Sequence, residues 1–301
     1  MGLLERVEAL KKEKNAVILA HYYVDEEVQK CADYIGDSYY LSKMATKVDA
    51  DRIIFAGVGF MGESAKMLNP MKRVFMPDMT ADCPMALMAT IEEIEKVRAE
   101  YEDLAVVCYI NSTAQLKAHS DVCVTSSNAV KIVKNIPNKN IFFIPDQNLG
   151  NFVREQVPWK NVITNRGFCP RHVAITKEDV LKAKEKYPEA KFAAHPECVK
   201  EVLELADYVG STSGIIDYVV DTQGEEFLIG TVDGVFAKIH ELAPEKKLYR
   251  VLEQQICVNM KKVTLEKVID VLENESNEII LPEELARKAM KPLERMLELA
   301  K

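Results

Sequence analysis

The sequence predicts an α/β protein of three units, each a small parallel sheet covered by helices, related by pseudo-threefold symmetry around a central cavity. Similar strings recur along the chain: "ADYIGDS" begins at Ala32, "SDVCVTS" at Ser120 and "ADYVGST" at Ala206. Short apolar runs alternate with helical patterns through each repeat, and three of the seven cysteines keep the same period. A repeat of about a third of the chain therefore sets the architecture.

The first unit is expected over residues 1–88. Its apolar runs "AVILA", "RIIFAGV" and "RVFMP" predict strands, while "VDEEVQKCADYI", "SYYLSKMATKV" and "GESAKML" have helical spacing. The last segment of the chain is also amphipathic, and we expect a helix at 283–301 to pack against this unit.

The second unit is expected over residues 89–175 and the third over residues 176–282. The second has the strand-like runs "LAVVCYI", "DVCVTS", "NIFFIP" and "NVITN", and the third has "KFAAH", "DYVGS", "EFLIGTV" and "KLYRV". Helical patterns lie between these runs, and further helices near 91–101 and 176–187 connect the units. Strands that are apolar almost throughout indicate parallel sheets covered on both faces.

Composition excludes several classes of partner. The net charge of −8 argues against a nucleic-acid or anionic-membrane surface, although a local site can still bind small anions. No apolar run approaches the roughly 20 residues that span a bilayer. We therefore expect a cytoplasmic protein, and an odd number of cysteines fits reduced thiols or metal ligands better than a disulfide framework.

Polar residues follow the predicted central strands, where ligands of parallel sheets bind. The candidates for substrate binding at these strand ends are His21, Tyr109, Ile110, Asn111, His195, Pro196 and Glu197. A second group, Ser38, Ser126, Ser211 and Thr212, lies between a strand and a helix, where hydroxyls cap helices and backbone N–H groups bind anions. His172, three residues after a cysteine, is a further candidate for substrate contact. Tyr23, Tyr109 and Glu197 are the side chains that suit acid–base catalysis.

The cysteines divide into two groups. Cys83, Cys169 and Cys257 are 86 and 88 residues apart and lie in predicted loops, so we expect them to form one metal site. Three thiolates without a fourth ligand at the usual spacing favour an iron–sulfur cluster over structural zinc, with one coordination position left open. The other four, Cys31, Cys108, Cys123 and Cys198, are expected to be small core residues.

With these repeats and cysteines, the strings "AHYY", "IGDS", "YINS", "VTSSNAV", "HPEC" and "GST" resemble the quinolinate synthase family over essentially the whole chain. The resemblance implies an enzyme of NAD biosynthesis that condenses iminoaspartate with dihydroxyacetone phosphate to quinolinate, releasing phosphate and two waters. It implies one 4Fe–4S cluster per chain, held by Cys83, Cys169 and Cys257 with one iron open. An L-aspartate oxidase or an aspartate dehydrogenase would supply the imine.

The same resemblance assigns roles to single residues. It implies that His21, Ser38, Tyr109, Asn111, Ser126, His195, Glu197 and Thr212 contact the part of the substrate derived from iminoaspartate. The chain departs from many family members at Tyr22, at Phe168 and at Thr231–Val232, which leaves the role of that last loop open. Two alternatives also remain: another cluster-dependent hydro-lyase, which would process a hydroxy acid, and a non-catalytic binding or electron-carrier protein. An electron carrier would more typically use four cysteine ligands.

Overall fold

The computed structural model describes residues 2–301, which contain three four-stranded sheets in which all paired strands are parallel. Helices cover the sheets, so the predicted α/β class is confirmed. Among the described residues, none of the helices combines the length and apolar character needed to cross a bilayer.

The first sheet and its helices come from the first quarter of the chain. Its elements are α1 (Leu3–Lys14), β1 (Ala16–His21), α2 (Glu26–Cys31), β2 (Tyr34–Gly36), α3 (Ser38–Ala45), β3 (Arg52–Ala56), α4 (Gly59–Leu68) and β4 (Arg73–Phe75). A short 3-10 helix (Pro84–Leu87) follows the last strand.

The second and third sheets repeat this order. The second group consists of α5 (Ile91–Glu100), β5 (Leu104–Tyr109), α6 (Ala114–Ala118), β6 (Val122–Val124), α7 (Ala129–Asn135), β7 (Asn140–Ile144), α8 (Gln147–Gln156) and β8 (Asn161–Thr164). The third consists of α9 (Lys177–Lys186), β9 (Lys191–Ala194), α10 (Lys200–Leu203), β10 (Tyr208–Val209), α11 (Thr212–Asp221), β11 (Glu226–Gly230), α12 (Val235–Leu242) and β12 (Lys247–Arg250). A 3-10 helix (Met260–Lys262), α13 (Leu265–Asn274) and α14 (Glu283–Leu299) end the chain.

Strand order is the same in all three sheets: β2-β1-β3-β4, β6-β5-β7-β8 and β10-β9-β11-β12. The first strand of each unit therefore lies inside the sheet, and the strand order reverses beside it. Ligands of open parallel sheets bind at such a reversal, beyond the carboxyl ends of the strands. This rule predicts a ligand site among the residues that follow β1, β5 and β9.

The repeated aspartate has one structural task in every unit. Its Oδ2 accepts a hydrogen bond from a backbone N–H of the central strand, at 2.7 to 2.8 Å, and its own N–H donates to the carbonyl oxygen of that residue. The pairs are Asp33 with Ile18, Asp121 with Val106 and Asp207 with Phe192. The aspartate thus starts the edge strand in register with the central strand, which explains why the sequence string recurs.

Two parts of the fold differ from the expectations. Tyr34 and Ile35, included in a helix by the sequence analysis, belong to strand β2, because the bonds of Asp33 to Ile18 end the helix and align the chain with β1. Helix α13, expected within the third unit, packs on α1, α2 and β3 of the first. Its apolar stripe, which includes Val268 and Leu272, is buried there.

The terminal helix α14 lies between two units. It contacts α4 of the first unit, and its larger contacts are with α6 and β6 of the second. One face of α14, including Ala289, Leu293 and Met296, is fully buried. The helix therefore packs on both units and not on the first alone.

Candidate active site

A cavity of about 150 Å³ lies where the carboxyl ends of the three sheets approach one another. Its lining comes from the loops that follow the strands in all three units. The predicted residues that line it are His21, Tyr23, Ser38, Tyr109, Asn111, Ser126, His172, His195, Glu197, Thr212, Cys83, Cys169 and Cys257. These side chains are far apart in sequence, and the repeated fold brings them together.

Three candidates do not belong to the lining, namely Ile110, Pro196 and Ser211. Ile110 is buried in the apolar core because alternate residues at the end of a strand face opposite sides. Ser211 is the N-cap of α11, where its Oγ accepts a hydrogen bond from the N–H of Gly214 at 3.1 Å. Pro196 lies between His195 and Glu197 in the same turn, without itself lining the cavity.

His21 and His195, which are equivalent in the repeat, have the same backbone contact. The Nδ1 of His21 accepts a hydrogen bond from the N–H of Tyr23 at 3.1 Å, and the Nδ1 of His195 accepts one from Glu197 at 3.4 Å. Burial lowers the pKa of each imidazole to about 3, although the nearby charge of Glu197 opposes this. Both rings are therefore neutral with the proton on Nε2, which in His195 lies 3.2 Å from the Oγ of Ser126.

A continuous series of hydrogen-bonding groups connects Tyr23 to Glu197. The hydroxyl of Tyr23 is 2.7 Å from the Oγ1 of Thr231, which is 2.9 Å from the Nε2 of His172. The Nδ1 of His172 is 2.6 Å from a carboxylate oxygen of Glu197. All four residues are buried. A carboxylate that orients a histidine, which in turn contacts a hydroxyl, is the arrangement by which hydrolases activate an alcohol.

Charge and burial give the two ends of this series different protonation states. Burial alone would raise the pKa of Glu197, but its close interaction with His172, together with a hydrogen bond from Tyr109, outweighs burial and holds the pKa low, at about 2. Burial raises the pKa of Tyr23 despite hydrogen bonds to Thr212 and Thr231. The pKa of Tyr109 is raised well above its usual range by burial and by the charge of Glu197. The carboxylate is therefore ionised and the two tyrosines are protonated.

Two helix N-termini reach the cavity at Ser38 and Thr212, the first residues of α3 and α11. The cap of α3 is Asp37, which accepts hydrogen bonds from the N–H of Tyr40 at 2.9 Å and from the hydroxyl of Ser213 at 2.7 Å. The carboxylate of Asp37 offsets the partial positive charge of α3, so α11 has the stronger attraction for an anion. Ser126 precedes the cap of α7 by two residues and contacts His195, rather than acting as a cap.

The three periodic cysteines occupy equivalent places, in the loop that follows the last strand of each sheet. All three line the cavity, whereas Cys31, Cys108, Cys123 and Cys198 are buried elsewhere, and all seven are free thiols. Burial raises the pKa of Cys83 to about 12, and the neighbouring thiol Cys257 adds to this effect. Soft sulfur ligands of this kind, one from each unit and all lining one cavity, fit a metal–sulfur group.

A second set of possible metal ligands shares Cys169. Its Sγ lies within 4.8 Å of donor atoms of His172 and Glu197. The donor atoms of His172 and Glu197 are already paired at 2.6 Å, and Nδ1 of His172 is 3.2 Å from the thiol. Since these groups satisfy one another without an ion, the three cysteines are the better candidate for a metal site.

Sequence reasoning missed several residues of the site. Thr231 is the most important, and the remaining polar ones are Asp37, Asp82, Thr125, Arg171 and Asn259, which line the cavity. Thr231 directly follows strand β11, so the strand-end rule applied to every strand would have included it. Within residues 2–301, Arg171 is the one lining residue with a permanent positive charge.

The fold and the site together define an enzyme built from three α/β units, with a buried carboxylate, two buried phenols and three thiols around one cavity. A sequence profile of the family described as "Quinolinate synthetase A protein" matches residues 5–298. The chain belongs to this family, so the resemblance found in the sequence is confirmed.

Individual members of the family align with this chain over nearly their whole length. A quinolinate synthase of Fusobacterium nucleatum subsp. nucleatum is 56% identical over 98% of this chain and 99% of its own length. One from Caldicellulosiruptor saccharolyticus is 51% identical over 98% of this chain and 97% of its own. One from Aquifex aeolicus is 46% identical over 99% of this chain and 94% of its own.

Proposed function

We propose that the chain condenses iminoaspartate with dihydroxyacetone phosphate to give quinolinate, phosphate and two waters, as a step of NAD biosynthesis. The reaction forms a carbon–carbon and a carbon–nitrogen bond and needs no external oxidant or reductant. The observation that carries the proposal is the series of hydrogen-bonding groups from Tyr23 to Glu197, inside a cavity that three thiols also line. Enolisation and dehydration need a base and an acid placed in this way.

Neutral hydrogen-bond donors and the N-terminus of one helix bind the anionic substrates. The Nε2–H groups of His21 and His195 donate to carboxylate oxygens, and the hydroxyls of Ser38, Ser126 and Thr212 add further hydrogen bonds. The N-terminus of α11 attracts the negative charge, while Arg171 offers the dianionic phosphate a cation near the cavity. Asn111 is suited to a different contact, since its Oδ1, buried without a partner among residues 2–301, can accept a hydrogen bond from a hydroxyl or N–H group of the substrate.

Proton transfer is assigned to Tyr23, Tyr109 and Glu197. The carboxylate of Glu197 orients His172, whose Nε2 accepts the proton of Thr231 while the oxygen of Thr231 accepts that of Tyr23. The series lowers the barrier to removing the phenolic proton, and Tyr23 can then take a proton from a substrate carbon. Tyr109, beside Glu197, donates a proton to a departing hydroxyl. The buried walls limit the water that would hydrolyse the imine.

A 4Fe–4S cluster is assigned to Cys83, Cys169 and Cys257. When bound, it would supply an open iron that acts as a Lewis acid on a substrate hydroxyl. An L-aspartate oxidase or an aspartate dehydrogenase would supply the imine. We assign the reaction to the cytoplasm.

The test compares the parent protein, prepared without oxygen, with Cys169→Ala and with Cys31→Ala as a matched control. Iron, acid-labile sulfide and the formation of quinolinate from both substrates are measured. We expect about four irons and four sulfides per chain in the parent and in the control, and loss of both in Cys169→Ala. A fully loaded parent that makes no quinolinate would reject the reaction, and a Cys169→Ala protein that keeps its iron would reject the ligand assignment.

A further inference from the structure

The turn between β7 and α8, residues 145–148 of the second unit, contacts two separate loops of the site. Asp146 accepts a hydrogen bond from the N–H of Cys169 at 3.1 Å through Oδ2. Asn148 donates from its Nδ2 to the carbonyl oxygen of Glu197 at 3.2 Å. One short segment therefore holds a proposed cluster ligand of its own unit and a carboxylate of the third unit that is assigned to proton transfer.

Asp146 is fully buried, and both of its carboxylate oxygens are in use. Oδ1 caps α8 by accepting from the N–H of Leu149 at 2.7 Å. The next residue, Gln147, donates its N–H to the carbonyl oxygen of Gly167 at 2.8 Å. The loop that contains Cys169 is thus fixed at two points to the start of one helix, so its position follows that of α8.

Asn148 acts across the boundary between two units. Behind the loop of Glu197 lies a groove of about 240 Å³, lined by Asn148, Asn151 and Cys198 among others. Because this space is not filled by side chains, packing alone does not fix the loop from that side. The ion pair of Lys200 with Glu155, at 2.6 Å, lies at the exposed rim, where such pairs contribute little.

We propose that this turn is a positioning element of the active site, in which Asn148 sets the place of the Glu197 carboxylate and Asp146 sets the place of the Cys169 thiol. The inference rests on the proposed function for Glu197 and on the proposed cluster for Cys169. Its energetic importance follows from the 2.6 Å contact between Glu197 and His172, since a misplacement of about 1 Å can cost roughly 100-fold in rate.

The first test replaces Asn148 by aspartate, which keeps the shape and removes the donor, and by alanine. Asn151→Ala is the matched control, because Asn151 lies on the same helix and lines the same groove. We expect kcat for quinolinate formation to fall at least about tenfold in both Asn148 variants, with KM for each substrate and iron content within twofold of the parent. The control should keep the parental kcat.

Two results would overturn this role of Asn148. One is a parental kcat in Asn148→Asp. The other is a fall in kcat in Asn151→Ala as large as that in the Asn148 variants, together with a rise in KM, which would indicate a general packing effect. Thermal unfolding of each variant identifies any that is globally destabilised, and the aspartate variant decides the matter if alanine unfolds the helix.

The second test addresses Asp146 without using activity. Asp146→Asn and Asp146→Ser both keep an acceptor for the cap of α8, but lose the carboxylate oxygen that accepts from Cys169. We expect the iron bound after anaerobic reconstitution to fall at least twofold in both, with the helical circular dichroism unchanged. Full iron content in both would overturn this role. A parent that binds iron normally but makes no quinolinate would reject the proposed function. The test of Asp146 would still be valid, because it measures bound iron and not activity.

Discussion

Replacement of Thr231 by valine removes one hydroxyl and keeps the shape of the side chain. That hydroxyl lies 2.7 Å from the hydroxyl of Tyr23 and 2.9 Å from the Nε2 of His172. The backbone should stay in place, because Gln255 donates to the carbonyl oxygen of Thr231 at 2.6 Å. The substitution therefore interrupts the series between Tyr23 and Glu197 at its centre.

The expected magnitude follows from the two contacts. Tyr23 keeps its contact with Thr212 at 3.0 Å, whereas the Nε2 of His172 loses its partner in a buried position. One unsatisfied buried group costs about 1–3 kcal/mol in folding free energy. Loss of the proton path should lower kcat by roughly 100-fold, which corresponds to about 2.7 kcal/mol in the barrier.

The assay measures quinolinate formation at saturating substrate, with the iron content of each protein as the check on loading. Thr231→Ser restores the hydroxyl and should recover most of the parental kcat, although it loses one methyl group. A valine variant with full iron content and a kcat within threefold of the parent would refute the role of the hydroxyl.

Two further changes test the stability of the fold. A Cβ at Gly234 would overlap the backbone of Tyr22, so Gly234→Ala should lower the free energy of unfolding by about 1–3 kcal/mol in thermal or urea unfolding, and an unchanged midpoint would contradict this. Burial would raise the pKa of Asp78, but hydrogen bonds from Lys267 and Thr80 outweigh it and lower the pKa to about 2 from 3.8. Because the folded-state pKa is the lower one, this group contributes up to about 2 kcal/mol above pH 4 and loses that contribution as the pH falls towards 2. Asp78→Asn should therefore show a weaker loss of stability than the parent between pH 4 and pH 2, and equal slopes would exclude the effect.

The parts of the site that follow the repeat could be predicted from the sequence. Cys83, Cys169 and Cys257 share one phase, and a shared phase means a shared place after the last strand of each sheet. His21 and His195 are found by the same argument. Periodicity is sufficient for these residues because identical topology places equivalent positions at equivalent ends of the sheets.

Thr231 and the partners of α13 could not be predicted in this way. The strand-end rule would include Thr231 among the candidates, but its role depends on the third unit meeting the first at Tyr23. The apolar residues along one side of α13 predict a buried face but not the element it packs on, because Val268 and Leu272 fit any apolar surface of similar shape. Contacts between units depend on shape in three dimensions, which a linear pattern does not contain.

The division of the cavity wall among three units has a consequence for synthesis of the chain. Residues are added from the amino terminus, so Cys83 and Cys169 leave the ribosome well before Cys257. A nascent chain that has completed two sheets lacks His195, Glu197 and the third thiol, and the side of the future cavity that they will form is still open to solvent. Two nucleophilic sulfurs are then unprotected during the synthesis of about ninety residues, which is when oxidants and stray metal ions have the easiest access to them.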